Sequence, residues 1–499
     1  MARALNYLKQ HPETLWLTAI LALSMLLRLA FLHEPFEIDE GQYATIAQEI
    51  LRGGLPYRDA IEIKPPAVFY LYALAISLFG ATSEGIRIFT TLYSLLTVIA
   101  VYGVARQISG VRAGISAALV HGIFSTFPLI QGSGCNTEVF LVLPLTAGVW
   151  FLLMAFETES CLYLYGVSLC AILAMLIKPV ALPVVALELL LIPFIRSGPG
   201  RIKDTVLDLT AFMIPIAACA GAVLAYFYLR GCLDDFLYWT VEFPRRYNKA
   251  GISGPTLGCI LLYLTSSLLV PILLGIPTAL WLAFSKRTIS GILPLLLILA
   301  VCLAIAIPGK YFPHYFILLI PFLAIPAGIG IASITAMPRQ TALMALLVLL
   351  VTISFSIWKN YKFYTVYSPE TVSIEKYGTT RFVDSVRIAY YLREHTGPDD
   401  YIFQWGMEPE LYFLSGRRCP NPYLVSLVPG WSKDPPGAVS EMMQSLMDKN
   451  PPYIVVQPEW AEFEGKLEVY AYLQMSCVEE KVIGYAHIFR CSSKQSTKP

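Results

Sequence analysis

Charge is what this chain has least of: 14% of its 499 residues are Asp, Glu, Lys or Arg, and 36 basic against 35 acidic side chains leave a net charge of +1. The basic residues are scattered, so the electrostatic footprint of a nucleic-acid partner is missing. Ten cysteines stand singly, without a CxxC pair or the Cys/His spacing that builds a zinc site. No GxGxxG follows a strand pattern, which excludes a dinucleotide fingerprint. No cofactor is called for; a divalent metal is left open but not indicated.

Apolar residues fill the gap, because 56% of the chain is hydrophobic and its mean hydropathy is +0.61. That is too apolar for a soluble globular protein and specifies a multi-pass membrane protein. About 17–25 apolar residues cross the hydrocarbon core as a helix. Such runs lie near 13–33, 86–105, 113–130, 138–156, 161–177, 179–195, 206–229, 258–284, 291–307, 314–334 and 340–357, making eleven spans. The first follows Arg3 and Lys9 as a secretory signal would, but it is long, carries Arg28 and lacks a small-x-small site, so it reads as a retained anchor. The 14-residue stretch 66–79 is short for a span and reads as an interfacial or re-entrant helix.

Basic residues in short loops set the orientation. With the N-terminus cytoplasmic, Arg106, Arg112, Arg196, Arg201, Lys203, Lys286, Arg287 and Arg339 all fall on the cytoplasmic side. Residues 34–85, 131–138, 230–257, 308–313 and everything after about 358 then lie on the extracytoplasmic face of a cell (inner) membrane. The division expected is a transmembrane domain, 1–357, and a soluble extracytoplasmic α/β domain, 358–499. Within the latter, Phe382 to His395 and Val439 to Met447 read as helices, and Tyr401 to Trp405 and Tyr453 to Gln457 as strands. Val478 to Ile483 and Tyr485 to Arg490 read as a hairpin that would set Cys477 opposite Cys491, either as a disulfide or as two separate thiols.

The densest chemistry follows the first run, in Phe36-Glu-Ile-Asp-Glu-Gly-Gln-Tyr43. Helical spacing of Tyr43, Ile46, Ala47 and Ile50 predicts an amphipathic helix over 40–52, flat on the membrane and ended by Gly53-Gly54. Asp39 stands where an N-cap belongs, with Gln42 completing a capping-box pattern. The same Asp39, crowded by Glu37 and Glu40, is placed to serve as a general base, and either Asp39 or Glu40 fits that role.

Basic side chains recur at helix starts on the same face: Lys64 before Pro65-Pro66, Lys178 before Pro179, and Lys310 with His314 before the tenth run. A lysine there faces the positive end of a helix dipole, which is unfavourable unless an anion lies between, and a phosphate would satisfy it. Each lysine taken singly is also explained as a snorkelling interfacial anchor. Arg28, near the outer end of the first run, needs a partner such as Asp39 or a lipid phosphate. Arg87 opens the second run as an anchor or a site residue, and Glu138 opens the fourth either as a favourable helix-start charge or as a contact for an acceptor or a second basic group. Arg245-Arg246-Tyr247 reads as a solvated basic loop or a contact for an anionic acceptor.

In order, Asp39-Glu-Gly-Gln-Tyr-Ala44, Gly53-Gly-Leu-Pro-Tyr57, Lys64-Pro-Pro66, Phe79-Gly80 and Arg87 resemble the first outer loop of family 39 glycosyltransferases. That group includes protein O-mannosyltransferases and aminoarabinose transferases. Asn136-Thr-Glu138, Lys178-Pro179, His314-Tyr-Phe316 with Pro321, Trp405-Gly406, Leu411-Tyr412 and Ser415-Gly-Arg417 continue the similarity. It implies a type C glycosyltransferase fold and an inverting transfer from a polyprenyl-phosphate-linked sugar. It further implies Asp39 as the catalytic acidic residue, Lys64 as a donor-phosphate contact, and Glu138 as an acidic site position. Arg28, Lys178, His314 and Lys310 are the other expected phosphate contacts, with Glu37, Arg87 and Tyr57 supporting the site or its acceptor. Ile63 stands where aminoarabinose transferases carry an acidic residue, which takes away a metal ligand. The acceptor is unidentified: protein, lipid or glycan. The other class that fits the composition is a transporter or a lipid-binding subunit of an envelope complex, but the charges gather at one interface and no internal repeat shows.

Overall fold

The computed structural model describes residues 12–196, 201–247, 257–286, 288–458 and 463–492. Arg3, Lys9, Arg287 and loop residues 248–256 lie outside the described residues, as do the side chains of Arg201, Arg246 and Tyr247. The chain forms two compact units. One comprises Met1–Leu32, Arg87–Tyr226 and Ala250–Tyr367; the other comprises His33–Ile86, Phe227–Lys249 and Ser368–Pro499. Segments 33–86 and 227–249, expected in the membrane domain, thus group with the C-terminal residues.

Among the described residues, eight helices are long and apolar enough to cross a membrane, from Pro12–Leu29 to Arg339–Thr365. Shorter apolar helices, Val111–Phe124, Cys161–Ile177 and Pro179–Phe194, occupy three more of the expected runs. The run expected at 113–130 stops being α-helix at Phe124 because Pro128 has no N–H for the next turn, and a short 3-10 turn, Pro128–Ile130, follows. The run expected at 258–284 is two helices, Leu257–Ser267 and Leu269–Lys286. Pro271 cannot donate to the Ser267 carbonyl, and the Thr265 and Ser266 hydroxyls already bond to carbonyls one turn back, at 2.7 and 2.5 Å. In this unit Gly328 lies so close to Ala117 that a methyl group would overlap it, which lets Leu319–Ile334 and Val111–Phe124 pack backbone to backbone.

The second unit holds a four-stranded sheet in the order β1 (Ile402–Trp405), β2 (Tyr453–Val456), β4 (Ala486–Cys491), β3 (Cys477–Ile483). β1 and β2 run parallel and are buried throughout, which is why they read as continuous apolar runs. Helices Arg381–His395 and Pro435–Lys449 lie where the sequence places them. β3 and β4 form the expected hairpin, and Cys477 and Cys491, paired in register, are disulfide-bonded.

The first-loop helix is Ile38–Leu51. It is not one-sided: Gln42, Thr45 and Glu49 are buried along with Tyr43, Ile46 and Ala47. The expected flat amphipathic helix is therefore corrected to one packed on both faces, because the C-terminal segment covers its polar side. Thr45 donates to the Pro409 carbonyl at 2.9 Å, and Arg418 grips Glu49 at 2.6 and 3.1 Å. Gly41 has no room for a methyl against Glu410, and Lys376 pairs with Glu34 at 2.6 Å where both side chains are 1% exposed.

Under this contact sits a buried acidic pair. Glu408 pairs with Arg381 and also accepts from the Tyr485 hydroxyl at 3.3 Å, and Glu410 accepts from Ser385 at 2.7 Å. Burial pushes Glu408 up to about 7 against the pull of Arg381; burial and the neighbouring Glu408 push Glu410 up to about 8. A carboxyl with a raised folded pKa holds its proton more tightly when folded, so its contribution to stability is complete below the unfolded value and fades as pH rises through the folded one. The thermal midpoint of the purified protein is expected to fall by a few degrees between pH 5 and about 8, the folded value of Glu410. Glu410→Gln, which keeps the acceptor for Ser385, should flatten that slope; an unchanged slope would remove Glu410 as its source.

Candidate active site

In the second unit, Ile38–Leu51 begins with a true capping box, but its members are Glu37 and Glu40. The Glu37 carboxylate accepts from the Glu40 N–H and the Glu40 carboxylate from the Glu37 N–H, each at 3.2 Å. The expectation that Asp39 caps with Gln42 is corrected: the helix starts two residues earlier, and Gln42 instead donates to the Ile61 carbonyl at 3.2 Å. Asp39 is thereby released from capping, while Glu40, buried and committed to the box, is poorly placed as a base. Burial, then the charges of Asp39 and Glu40, push the Glu37 carboxyl well above its ordinary range.

Asp39 meets Lys64. The Lys64 Nζ lies 3.4 Å from Asp39 Oδ1 and 2.8 Å from Glu62 Oε1, and the other Glu62 oxygen accepts from the Lys64 backbone N–H. Asp39 Oδ2 accepts from the Tyr43 hydroxyl at 3.1 Å, and the Tyr43 ring lies 5.3 Å under the ammonium. Glu62 is 4% exposed at its side chain and Lys64 15%, whereas Asp39 is 28% exposed. The carboxylate open to an incoming molecule is thus that of Asp39. Burial alone would lower the Lys64 pKa, but Asp39, Glu62 and Tyr43 hold it well above the usual lysine value.

The loop that presents Lys64 is shaped by Tyr57, whose backbone sits in the left-handed region at φ 71°. Its buried ring packs among Phe69, Phe227 and Phe236, and its hydroxyl donates to the Lys64 carbonyl at 2.8 Å. Burial, followed by the Glu62 charge, raises the Tyr57 pKa well above 10.0, so this donor stays protonated. The anion expected between Lys64 and its following helix is in part the chain's own: Glu62, which the apolar Ile63 masks in the sequence. The i, i+2 spacing in Glu62-Ile-Lys64 is the signal that could reveal it.

The first unit brings other expected residues together. Lys178 pairs with Glu138, whose second oxygen accepts from Thr137 at 2.8 Å, and the ammonium lies 4.3 Å from the Tyr315 ring centroid. His314 Nδ1 is 3.1 Å from the Gln131 side-chain oxygen, which also accepts from Asn136 at 3.2 Å. Gln131 carries no signal in the sequence. Arg28 does not pair with Asp39: it donates to the Gly132 carbonyl at 2.9 Å and to Ser125 at 3.1 and 3.2 Å, clasping the 125–132 turn. Arg87 and Lys310 are buried.

A divalent ion does not fit the Asp39 group, since the Lys64 ammonium fills the space between its two carboxylates. Among the described residues no three His, Cys, Asp or Glu side chains are grouped to hold a metal.

The family model described as dolichyl-phosphate-mannose-protein mannosyltransferase matches residues 63–225, which takes in Lys64, Glu138 and Lys178 but not Asp39. An undecaprenyl phosphate-alpha-4-amino-4-deoxy-L-arabinose arabinosyl transferase of Pseudomonas savastanoi is 34% identical over 122 residues, a match spanning 23% of this chain and 22% of that protein. The ArnT structure from Cupriavidus metallidurans bound to undecaprenyl phosphate superposes with a TM-score of 0.65 at 14% identity, covering 96% of this chain and 98% of that one. The chain has the fold of the type C glycosyltransferases. The oligosaccharyltransferase of Archaeoglobus fulgidus tethered with an acceptor peptide shares this type C fold, with a TM-score of 0.56 at 13% identity over 98% of this chain and 75% of that one.

Within this type C scaffold the charge of Asp39, together with the charge and hydrogen bond of Glu62, keeps Lys64 protonated. Glu62→Gln should lower the Lys64 pKa and raise its rate of acetylation by a small amine-reactive ester, about tenfold if the pKa falls by one. Mass spectrometry of the modified peptide reads this without any turnover, and an unchanged rate would show that Glu62 does not set the charge.

Proposed function

We propose that this protein is an inverting glycosyltransferase that moves a sugar from a polyprenyl-phosphate-linked donor to an acceptor on the extracytoplasmic side of a cell membrane. The observation that carries this reading is Asp39 itself: a partly exposed carboxylate, not engaged in its helix cap and oriented by Tyr43 and Lys64. Asp39 takes the proton of the acceptor nucleophile as it attacks the anomeric carbon, and attack opposite the leaving phosphate inverts configuration. Lys64, held charged, offsets the negative charge that develops on the departing phosphate. Tyr57 and Glu62 fix Lys64, so the field is in place before the reaction begins.

The phosphate donor is supported by the ArnT structure, which has undecaprenyl phosphate bound, and by the name of the matching family. The group of Lys178, Glu138 and His314 in the first unit is kept as a separate candidate for anion binding. The orientation, with the N-terminus cytoplasmic and the C-terminal segment outside, agrees with the Cys477–Cys491 disulfide, since such bonds persist in oxidising compartments.

Asp39→Asn should leave the protein folded, because the Glu37–Glu40 box is untouched, and lower the rate of sugar transfer by about 10²–10⁴-fold. Purified variant and wild type would be compared with a polyprenyl-phosphate sugar and membrane extract as acceptor source. Transfer at the wild-type rate would remove Asp39 as base.

A further inference from the structure

In the C-terminal segment a cavity of about 540 Å³ opens between the turn at Gly430 and Trp431 and the start of helix Lys466–Ser476. Trp431 and Phe463 give it aromatic walls, and Glu464, Lys466 and Glu468 give it charge. Both rings are anchored. Trp431 lies against Phe243 at 5.0 Å, and its carbonyl accepts from the Tyr238 hydroxyl at 2.6 Å. Phe463 meets the fully buried Trp405 edge to face at 6.4 Å. The indole N–H of Trp405 and the hydroxyl of Ser432, the residue after Trp431, are buried with no hydrogen-bond partner among the described residues.

We infer that this cavity binds a saccharide, with a pyranose ring stacked on Trp431 or Phe463 and its hydroxyls taken by Glu464, Lys466 and Glu468. A sugar ring has an apolar C–H face and a rim of hydroxyls, and aromatic walls beside a few polar groups match that duality in a site of this size. Carboxylates are pure acceptors and need hydroxyl donors, while the ammonium donates to ring or hydroxyl oxygens. Other occupants fit worse. Two carboxylates against one lysine repel a phosphate, and an acyl chain would leave three charges facing hydrocarbon. If the glycosyltransferase reading holds, on which this assignment of a role rests, the saccharide belongs to a glycan acceptor, and the cavity selects it.

The test uses the full protein in nanodiscs without donor, reading saturation-transfer NMR from aromatic protein protons to mannotriose, maltotriose and chitotriose. Hexanoate and inorganic phosphate serve as the acyl and anionic probes, the latter read by its phosphorus resonance. Transfer to the ring C–H protons of at least one trisaccharide is expected, with affinity falling about tenfold in Trp431→Ala and in Phe463→Ala. Glu468→Gln, at an exposed position that leaves the packing intact, should weaken binding less, and Asp39→Asn should not change it. Silence from all three trisaccharides, equal binding by the variants, or preferential uptake of hexanoate or phosphate overturns the inference. Because no donor is present, loss of the catalytic reading leaves saccharide binding standing. Conversely, unaltered sugar transfer by Trp431→Ala that binds no trisaccharide removes the cavity's role in selecting the acceptor and keeps the reaction.

Discussion

The candidate site depends on one ammonium group held between two carboxylates. Lys64 is largely withdrawn from water, its side chain 15% exposed, and a lysine so placed without partners would hold its proton less tightly. Glu62 accepts from both the Lys64 backbone N–H and its Nζ, so one carboxylate ties the end of the lysine side chain to its own backbone. Asp39 is the more distant and more open partner at 3.4 Å. That asymmetry suits a division of work: one carboxylate neutralises the lysine, and the other keeps enough freedom to accept a proton.

Asp39 can play that part only because its helix is capped by other residues. Three acids in four residues would repel one another at a helix start, yet the backbone geometry gives Glu37 and Glu40 reciprocal N–H partners. The same helix is then pinned from its far side. Glu49 with Arg418, Thr45 with Pro409, and the fully buried Glu34–Lys376 pair tie the first loop to the C-terminal segment. Removing one member of a buried pair typically costs about 3–5 kcal/mol, so the Glu34–Lys376 pair holds the loop against slippage more firmly than surface ion pairs could. The clamp lies more than 300 residues away in sequence from the site it steadies.

Much of this architecture is legible in the sequence because it rests on local patterns. Membrane-length apolar runs, the Phe382 to His395 helix, the two buried strands and the cysteine hairpin follow from composition and period. The breaks at Phe124 and Leu268 follow from Pro128 and Pro271, once prolines are read as missing donors as well as punctuation. Tertiary relations are not legible in the same way. A helix whose polar face will meet a distant segment has the same sequence as one whose polar face meets water, which is why Thr45 and Glu49 look solvent-bound. The cap lies two residues before the expected one because Glu is a less usual N-cap than Asp, and propensity points to Asp39. Gln131 and Arg418 carry no spacing that ties them to partners 183 and 369 residues away.

The placement of these charges says something about how the chemistry is supported. A proton acceptor and a cation fixed in partly dry surroundings act through a stronger field than the same groups in water, and they need no rearrangement when charge develops. Such a field is unstable by itself, because each buried charge must be answered. Here the answers are nested: Glu62 for Lys64, Tyr43 for Asp39, Tyr57 for the Lys64 backbone, and Arg418 for Glu49 farther along the same helix. The strained backbone of Tyr57 belongs to this scheme, since that bend brings a buried hydroxyl under the Lys64 carbonyl. The group is therefore a polar network stabilised from below, and the exposed edge of Asp39 is where the proposed reaction would bring the acceptor nucleophile.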